Sequence, residues 1–200
     1  MTLIPETLLD IISTDFEDYG SLELTEAKFE GTLLTLAFNV AADNYPDFHP
    51  KWNVICRAVQ EHSLSLGFHY ECQYSTDHVL LVPYRVPQTS ISFYGKVASA
   101  SAVVGALLRC HKTIAGDWIP FERFLNKEIE LTELIAGGFG MLAEGPEPFI
   151  LAYENTLREY GFSTSHVEPS QPSHTNGDEL SVLMLDQAYV IAEEFVPIEV

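Results

Sequence analysis

Hydrophobic and polar residues alternate most clearly between Leu64 and Tyr74. There Leu64, Leu66, Phe68, Tyr70, Cys72 and Tyr74 interleave with Ser65, Gly67, His69, Glu71 and Gln73. A period of two predicts a strand with the first set in the core and His69 and Glu71 on a polar face. The same period runs through Leu22, Leu24, Leu34, Leu36, Phe38 and Val40, with Glu30-Gly31 as the turn of a hairpin. The run Val79–Val82 and the alternating Ile91–Val97 read as further strands, and Trp52–Val59 is an apolar segment. A closing pair is expected from Val182–Leu185 and Tyr189–Val196 around Asp186-Gln187-Ala188.

Helical spacing takes over between these strands. Ala100, Val103, Val104, Leu107, Cys110, His111 and Ile114 fall within about 60° of Leu107 on a helical wheel. Gly116 supplies a stop. A second helix runs from Gly145-Pro146 to Gly161 on the stripe Phe149, Ile150, Tyr153, Leu157 and Tyr160, with Glu154 and Arg158 as an i,i+4 pair. Shorter helices are expected over Pro5–Phe16 and Ile129–Ala136, and a loop over Asp43–Pro50. Residues 163–179, rich in Ser, Pro, Asn and Gly, read as a flexible surface loop. At 200 residues the chain is expected to form a single globular domain, 1–200. The fold class expected is α+β: a mostly antiparallel sheet of about five to seven strands with two main helices packed on one face.

Charge adds the next constraint. Twenty-nine Asp and Glu face ten Lys and Arg, a formal −19, while 46% of residues are hydrophobic and 12% aromatic. Such a chain can bury a core, so it is not a disordered acidic tail. Its charge opposes nucleic acid and anionic membrane as partners. The imbalance is uneven: residues 1–50 carry −9, 51–127 carry +3 and 128–200 carry −13. An acidic partner-facing surface is therefore expected from the two ends of the chain.

The opening Met1-Thr2-Leu3-Ile4-Pro5-Glu6 has no basic stretch, so no signal peptide is expected. The most apolar later stretch, Val97–Cys110, is too short to span a bilayer as a helix. Cys56, Cys72 and Cys110 are odd in number and lack CxxC spacing, which reads as free thiols in the cytoplasm.

Candidate chemistry is sparse. His69 and Glu71 share one strand face, with His78 just beyond, but a metal centre needs three or four converging ligands, so neither metal nor cofactor is expected. Cys110 and His111 diverge by about 100° on their helix and read as a packed thiol and a hydrogen-bonded core imidazole, with a clasp from His111 to Asp117 or Trp118 as a further role. Gly137-Gly138-Phe139-Gly140 lacks the preceding strand and the Lys of a phosphate cradle, and reads as a turn between helices. No nucleophile-elbow, zincin or kinase motif is present. Trp52, Trp118 and Phe121 lie in or beside loops, where aromatics anchor partners or fold back on the core. The reading that emerges is a non-catalytic, acidic protein-interaction or assembly domain of inhibitor, immunity or chaperone type, bound to a protein partner or to itself. Its candidate contact residues are Trp52, Trp118, Phe121, His69, Glu71 and His111. The alternative is a small-molecule-binding protein or hydrolase with a pocket between sheet and helix near His69, Glu71, His78 or His111.

Overall fold

A computed structural model describes residues 20–42, 51–170 and 177–200. The expected helix over Pro5–Phe16 and loop over Asp43–Pro50 lie outside the described residues. The chain, one domain by length alone, gathers into two compact units: Met1–His78 with Glu179–Val200, and Val79–Asp178. The fold is mixed α and β with antiparallel strand pairing throughout the described ladders, but in three sheets where one was expected.

In the first unit, β1 (Gly20–Glu30) and β2 (Leu33–Ala42) form the expected hairpin. Gly31 turns it at φ +67°, a left-handed conformation that glycine adopts without steric cost. β3 (Lys51–Arg57) pairs with β2, and β12 (Glu194–Glu199) pairs with β3. β10 (Ser181–Leu185) and β11 (Ala188–Ala192) form the expected closing hairpin in a second sheet, but the strand expected over Tyr189–Val196 is split, its last residues belonging to β12 in the first sheet. Leu22, Leu24, Leu34, Leu36 and Phe38 from one sheet and Leu183, Leu185, Val190 and Ala192 from the other share one buried core.

The segment read as a single strand over Leu64–Tyr74 is instead broken between the two sheets. β4 (Glu61–Ser63) pairs with β11, β5 (Gly67–His69) with β1, and β6 (Cys72–Ser75) with β10. The sheet orders are therefore β12-β3-β2-β1-β5 and β4-β11-β10-β6. Gly67, at φ +124°, permits the first break. Leu64, Cys72 and Tyr74 still pack on the core. Leu66, Phe68 and Tyr70 face out, and His69 is buried in their stead. A period of two assigns faces only while the strand stays in one sheet.

The second unit holds a three-stranded sheet, β8-β7-β9, with β7 (Gln88–Tyr94) in the middle. Val79–Val82, read as a strand, forms a 3₁₀ turn (Val79–Leu81) running into a short helix α1 (Val82–Arg85) that has Pro83 near its start. A short apolar run does not by itself distinguish strand from buried helix. α2 (Ala100–Ala115) begins at Ser99, whose hydroxyl accepts from the Ala102 N–H, and stops at Gly116 as the sequence predicts. α3 (Leu131–Gly137) and α4 (Glu147–Glu159) follow. The glycine run is not a turn between helices: Gly138 caps α3 in the left-handed conformation and leads into β8 (Phe139–Pro146). Any side chain at Gly138 would strike the Gly95 carbonyl, whose own N–H donates to Gly138 O.

Residues Ser163–Ser170, read as the start of a flexible loop, form β9 paired with β7. The strand shows no apolar period because its inward residues, Thr164 and His166, meet a buried carboxylate, Glu154. Ile91, Phe93, Leu107, Leu142, Ile150, Tyr153 and Leu157 form this unit's core.

Candidate functional site

The chain between β4 and β6 is held by one side chain from another hairpin. Asp186 sits in the two-residue turn joining β10 to β11, at φ +52°, a conformation that Asp tolerates better than most residues. Its Oδ1 accepts from the Glu71 N–H at 2.9 Å and the Tyr70 N–H at 3.2 Å, and its own N–H donates to Glu71 O at 3.0 Å. Its Oδ2 lies 3.1 Å from His69 Nδ1, and His69 Nε2 lies 3.0 Å from Ser65 O. The ring is thereby held between a carboxylate and a backbone carbonyl. His69, only 4% exposed, thus closes the loop from Ser65 to Glu71.

The clasp fixes what faces solvent. Leu66, Phe68 and Tyr70 are 64%, 59% and 67% exposed, three large apolar side chains at alternate positions on a stapled rim. Glu23 stands opposite Phe68 in the β1–β5 register, and exposed Glu71 follows Tyr70. Three exposed apolar side chains thus lie beside acids on a loop held by hydrogen bonds.

The other predicted residues take structural places. Trp52 is buried in the first unit's core, on β3. Its Nε1 is the buried side-chain atom without a hydrogen-bond partner among the described residues. Phe121 packs on the second unit's core, its ring edge-on to His111 at 5.5 Å, and Trp118 is half-buried. These aromatics fold back because His111 draws their loop under α2: Nε2 donates to Ile119 O at 2.7 Å, and Nδ1 lies 2.7 Å from the Tyr153 hydroxyl. The expected clasp therefore exists, with Ile119 as its partner, whereas Asp117 pairs at the surface with Lys112. His111 is 1% exposed and lies in one unit, while His69, Glu71 and His78 belong to the other. Neither described cleft is lined by any of the four side chains named for a shared pocket.

One buried constellation has no signal in the sequence beyond the Glu154–Arg158 spacing. Glu154 accepts from Thr164 Oγ1 at 2.7 Å and His166 Nε2 at 2.8 Å, and pairs with Arg158. Burial pushes its carboxyl up. The bonds from Thr164 and His166 and the charges of His166 and Arg158 outweigh that and hold it below the ordinary value. Burial also pushes the Cys56 thiol up to about 12, and burial with the Asp186 charge does the same to Cys72. Burial raises Cys110 against an opposing hydrogen bond with Thr156. All three stay protonated near neutrality and are poor nucleophiles. Among the described residues no three His, Cys, Asp or Glu side chains form a metal-holding group, and no helix is long and apolar enough to cross a membrane.

Fold and site together define a mixed α and β protein with antiparallel sheets and a stapled apolar rim. No protein family, no curated protein and no solved structure matches the chain.

Proposed function

We propose that this chain is a non-catalytic protein-interaction domain that docks a basic segment of another protein on the rim formed by Leu66, Phe68 and Tyr70. The observation that carries the reading is the exposure of these three side chains on a loop stapled by His69 and Asp186. A rim ordered in advance loses little conformational freedom on binding. The stretches that make up the first unit hold eighteen acids against three bases, a formal −15, compared with −4 for Val79–Asp178. A cationic partner is therefore steered toward the first unit. Its place of action is the cytoplasm, where three free thiols persist.

The test is affinity capture followed by a matched variant. A genuine partner is retained by the wild-type chain, weakened at high salt, and lost with the double variant Leu66→Ser, Phe68→Ser. Loss of either side chain is expected to weaken docking about tenfold or more. A set of captured proteins indifferent to the double variant refutes the assignment.

A second reading has one feature in its favour. The second unit carries an open cleft of about 420 Å³ lined in part by Gln88, Arg123, Asn126, Lys127, Met141 and Glu144. Cations and carboxylates around a partly apolar floor suit a small zwitterion. Stabilisation by an amino acid in a thermal-shift screen, removed by Lys127→Glu, would favour it.

A further inference from the structure

We infer that two copies of this chain associate by pairing their β9 strands edge to edge through residues 163–167. An open sheet edge presents unpaired N–H and C=O groups, and folded proteins guard such edges. Every other sheet edge described here has a guard. β4 and β5 are three residues long and β6 four. β12 carries Pro197 between Glu194 and Glu199. β8 is covered by residues 124–126: the Asn126 N–H donates to Leu142 O, the Glu144 N–H donates to Phe124 O, and Leu125 bridges to Ala143.

β9 differs. Among the described residues this eight-residue strand pairs with β7 alone. Its later part is broken by a register shift opposite Gln88–Ser90 and by Pro169. The first five residues, Ser163-Thr164-Ser165-His166-Val167, contain no Pro, Lys, Arg, Asp or Glu. They are also rigid, since Thr164 and His166 are tied to Glu154 on the inner face and the Thr89 hydroxyl donates to Val167 O at 2.6 Å. That bond turns the Val167 carbonyl toward β7. By the alternation of an antiparallel strand, Thr164 and His166 then point their N–H and C=O groups outward.

The occupant follows from the strand's own complementarity. The net charge of −19 opposes a second copy, and the opposition is least where the contact itself carries no acid. Residues 163–167 meet that condition, and a strand paired antiparallel with its own copy is self-complementary about a twofold axis. The alignment that keeps all five residues paired centres on Ser165, with each Thr164 opposite the other copy's His166. The two three-stranded sheets then become one of six. The outer face, where Tyr94, Phe139 and Val167 are 73%, 68% and 64% exposed, continues across the join.

Sedimentation of the full chain tests this. A contact this small is weak, so the mass should rise from one copy toward two between about 10 µM and about 1 mM. Ser165→Lys, which sets like charges face to face, should hold the mass at one copy, while Phe68→Ser leaves association unchanged. Ser165→Cys should trap the dimer as a disulfide on mild oxidation. A wild-type chain that stays single throughout, or a Ser165→Lys chain that associates as the wild type does, overturns the inference. Hydrogen exchange on the wild type decides independently should the variant fail to fold. The Thr164 and His166 amides must slow about tenfold at high concentration, and unchanged rates refute the pairing.

Discussion

Each unit buries a histidine with both ring nitrogens engaged, and the two do different jobs. His111 lies among Phe121, Phe149 and Tyr153 and is bonded to Ile119 O and the Tyr153 hydroxyl. Its carbonyl partner only accepts, and its hydroxyl partner can donate, so the ring is satisfied with one N–H and no ionic partner. His69 faces a carbonyl and a carboxylate, and its partner Asp186 also reaches solvent and two backbone amides. The first histidine fastens a helix to a loop inside an aromatic core, where its loss opens a cavity and strands two polar atoms. The second fastens a loop at the edge of a sheet, where water can replace much of what is lost. Equal bonding therefore predicts unequal cost.

The largest expected effect is at His111. His111→Leu leaves the Tyr153 hydroxyl and Ile119 carbonyl buried without partners and should cost about 3 kcal/mol in denaturant unfolding, with Tyr153→Phe costing about half as much. A small loss for His111→Leu would mean that the aromatic cluster holds the loop unaided.

Glu154 comes next. Glu154→Gln leaves Arg158 and His166 facing a neutral amide and should destabilise the second unit by about 2 kcal/mol. Acid should act in the same direction. The folded carboxyl is held below its ordinary value of 4.5, so its stabilisation is complete above that pH and is lost as pH falls through the folded value. Melts between pH 6 and pH 3 should show a shallower acid slope for Glu154→Gln than for the wild type, and equal slopes would remove Glu154 from the account.

Asp186→Ala should cost about 1–2 kcal/mol and speed exchange at the Tyr70 and Glu71 amides. Asp186→Asn should cost less, because the amide oxygen still accepts from those N–H groups and Asn tolerates the positive φ. A loss as large as that of His111→Leu would erase the contrast between the two clasps.

The smallest effect on stability is expected at the rim itself. Phe68→Ser, at a side chain 59% exposed, should change stability by no more than about 0.5 kcal/mol while weakening docking. A large loss of stability would mean that the rim packs on the protein rather than waiting for a partner.

Local signals were legible wherever one element buries one face. The β1–β2 hairpin, α2 with its Gly116 stop, α4 and the β10–β11 pair follow from apolar spacing and turn residues, because each keeps its stripe against a single core. β8 was obscured by its glycines, which are there because neighbours leave no room: a Cβ at Gly140 would meet Leu134, and one at Gly145 would meet Phe124. β9 was obscured by polar inward residues whose partner, Glu154, lies on a helix. His69 was placed on the polar face, and its real surroundings depend on Asp186, 117 residues away.

By itself the sequence determined the α and β content, most of the hairpin and helix boundaries, the acidity, and the core positions of β1, β2, α2 and α4. Those properties follow from period and composition, which are local sums. The tertiary structure alone decided that the strands divide among three sheets, that Leu66, Phe68 and Tyr70 turn outward while His69 turns in, and that among the described residues β9 pairs along one edge only. Each of these is a pairing choice between distant segments. Alternation tells a strand that it has two faces, and only its neighbours tell it which one meets the core.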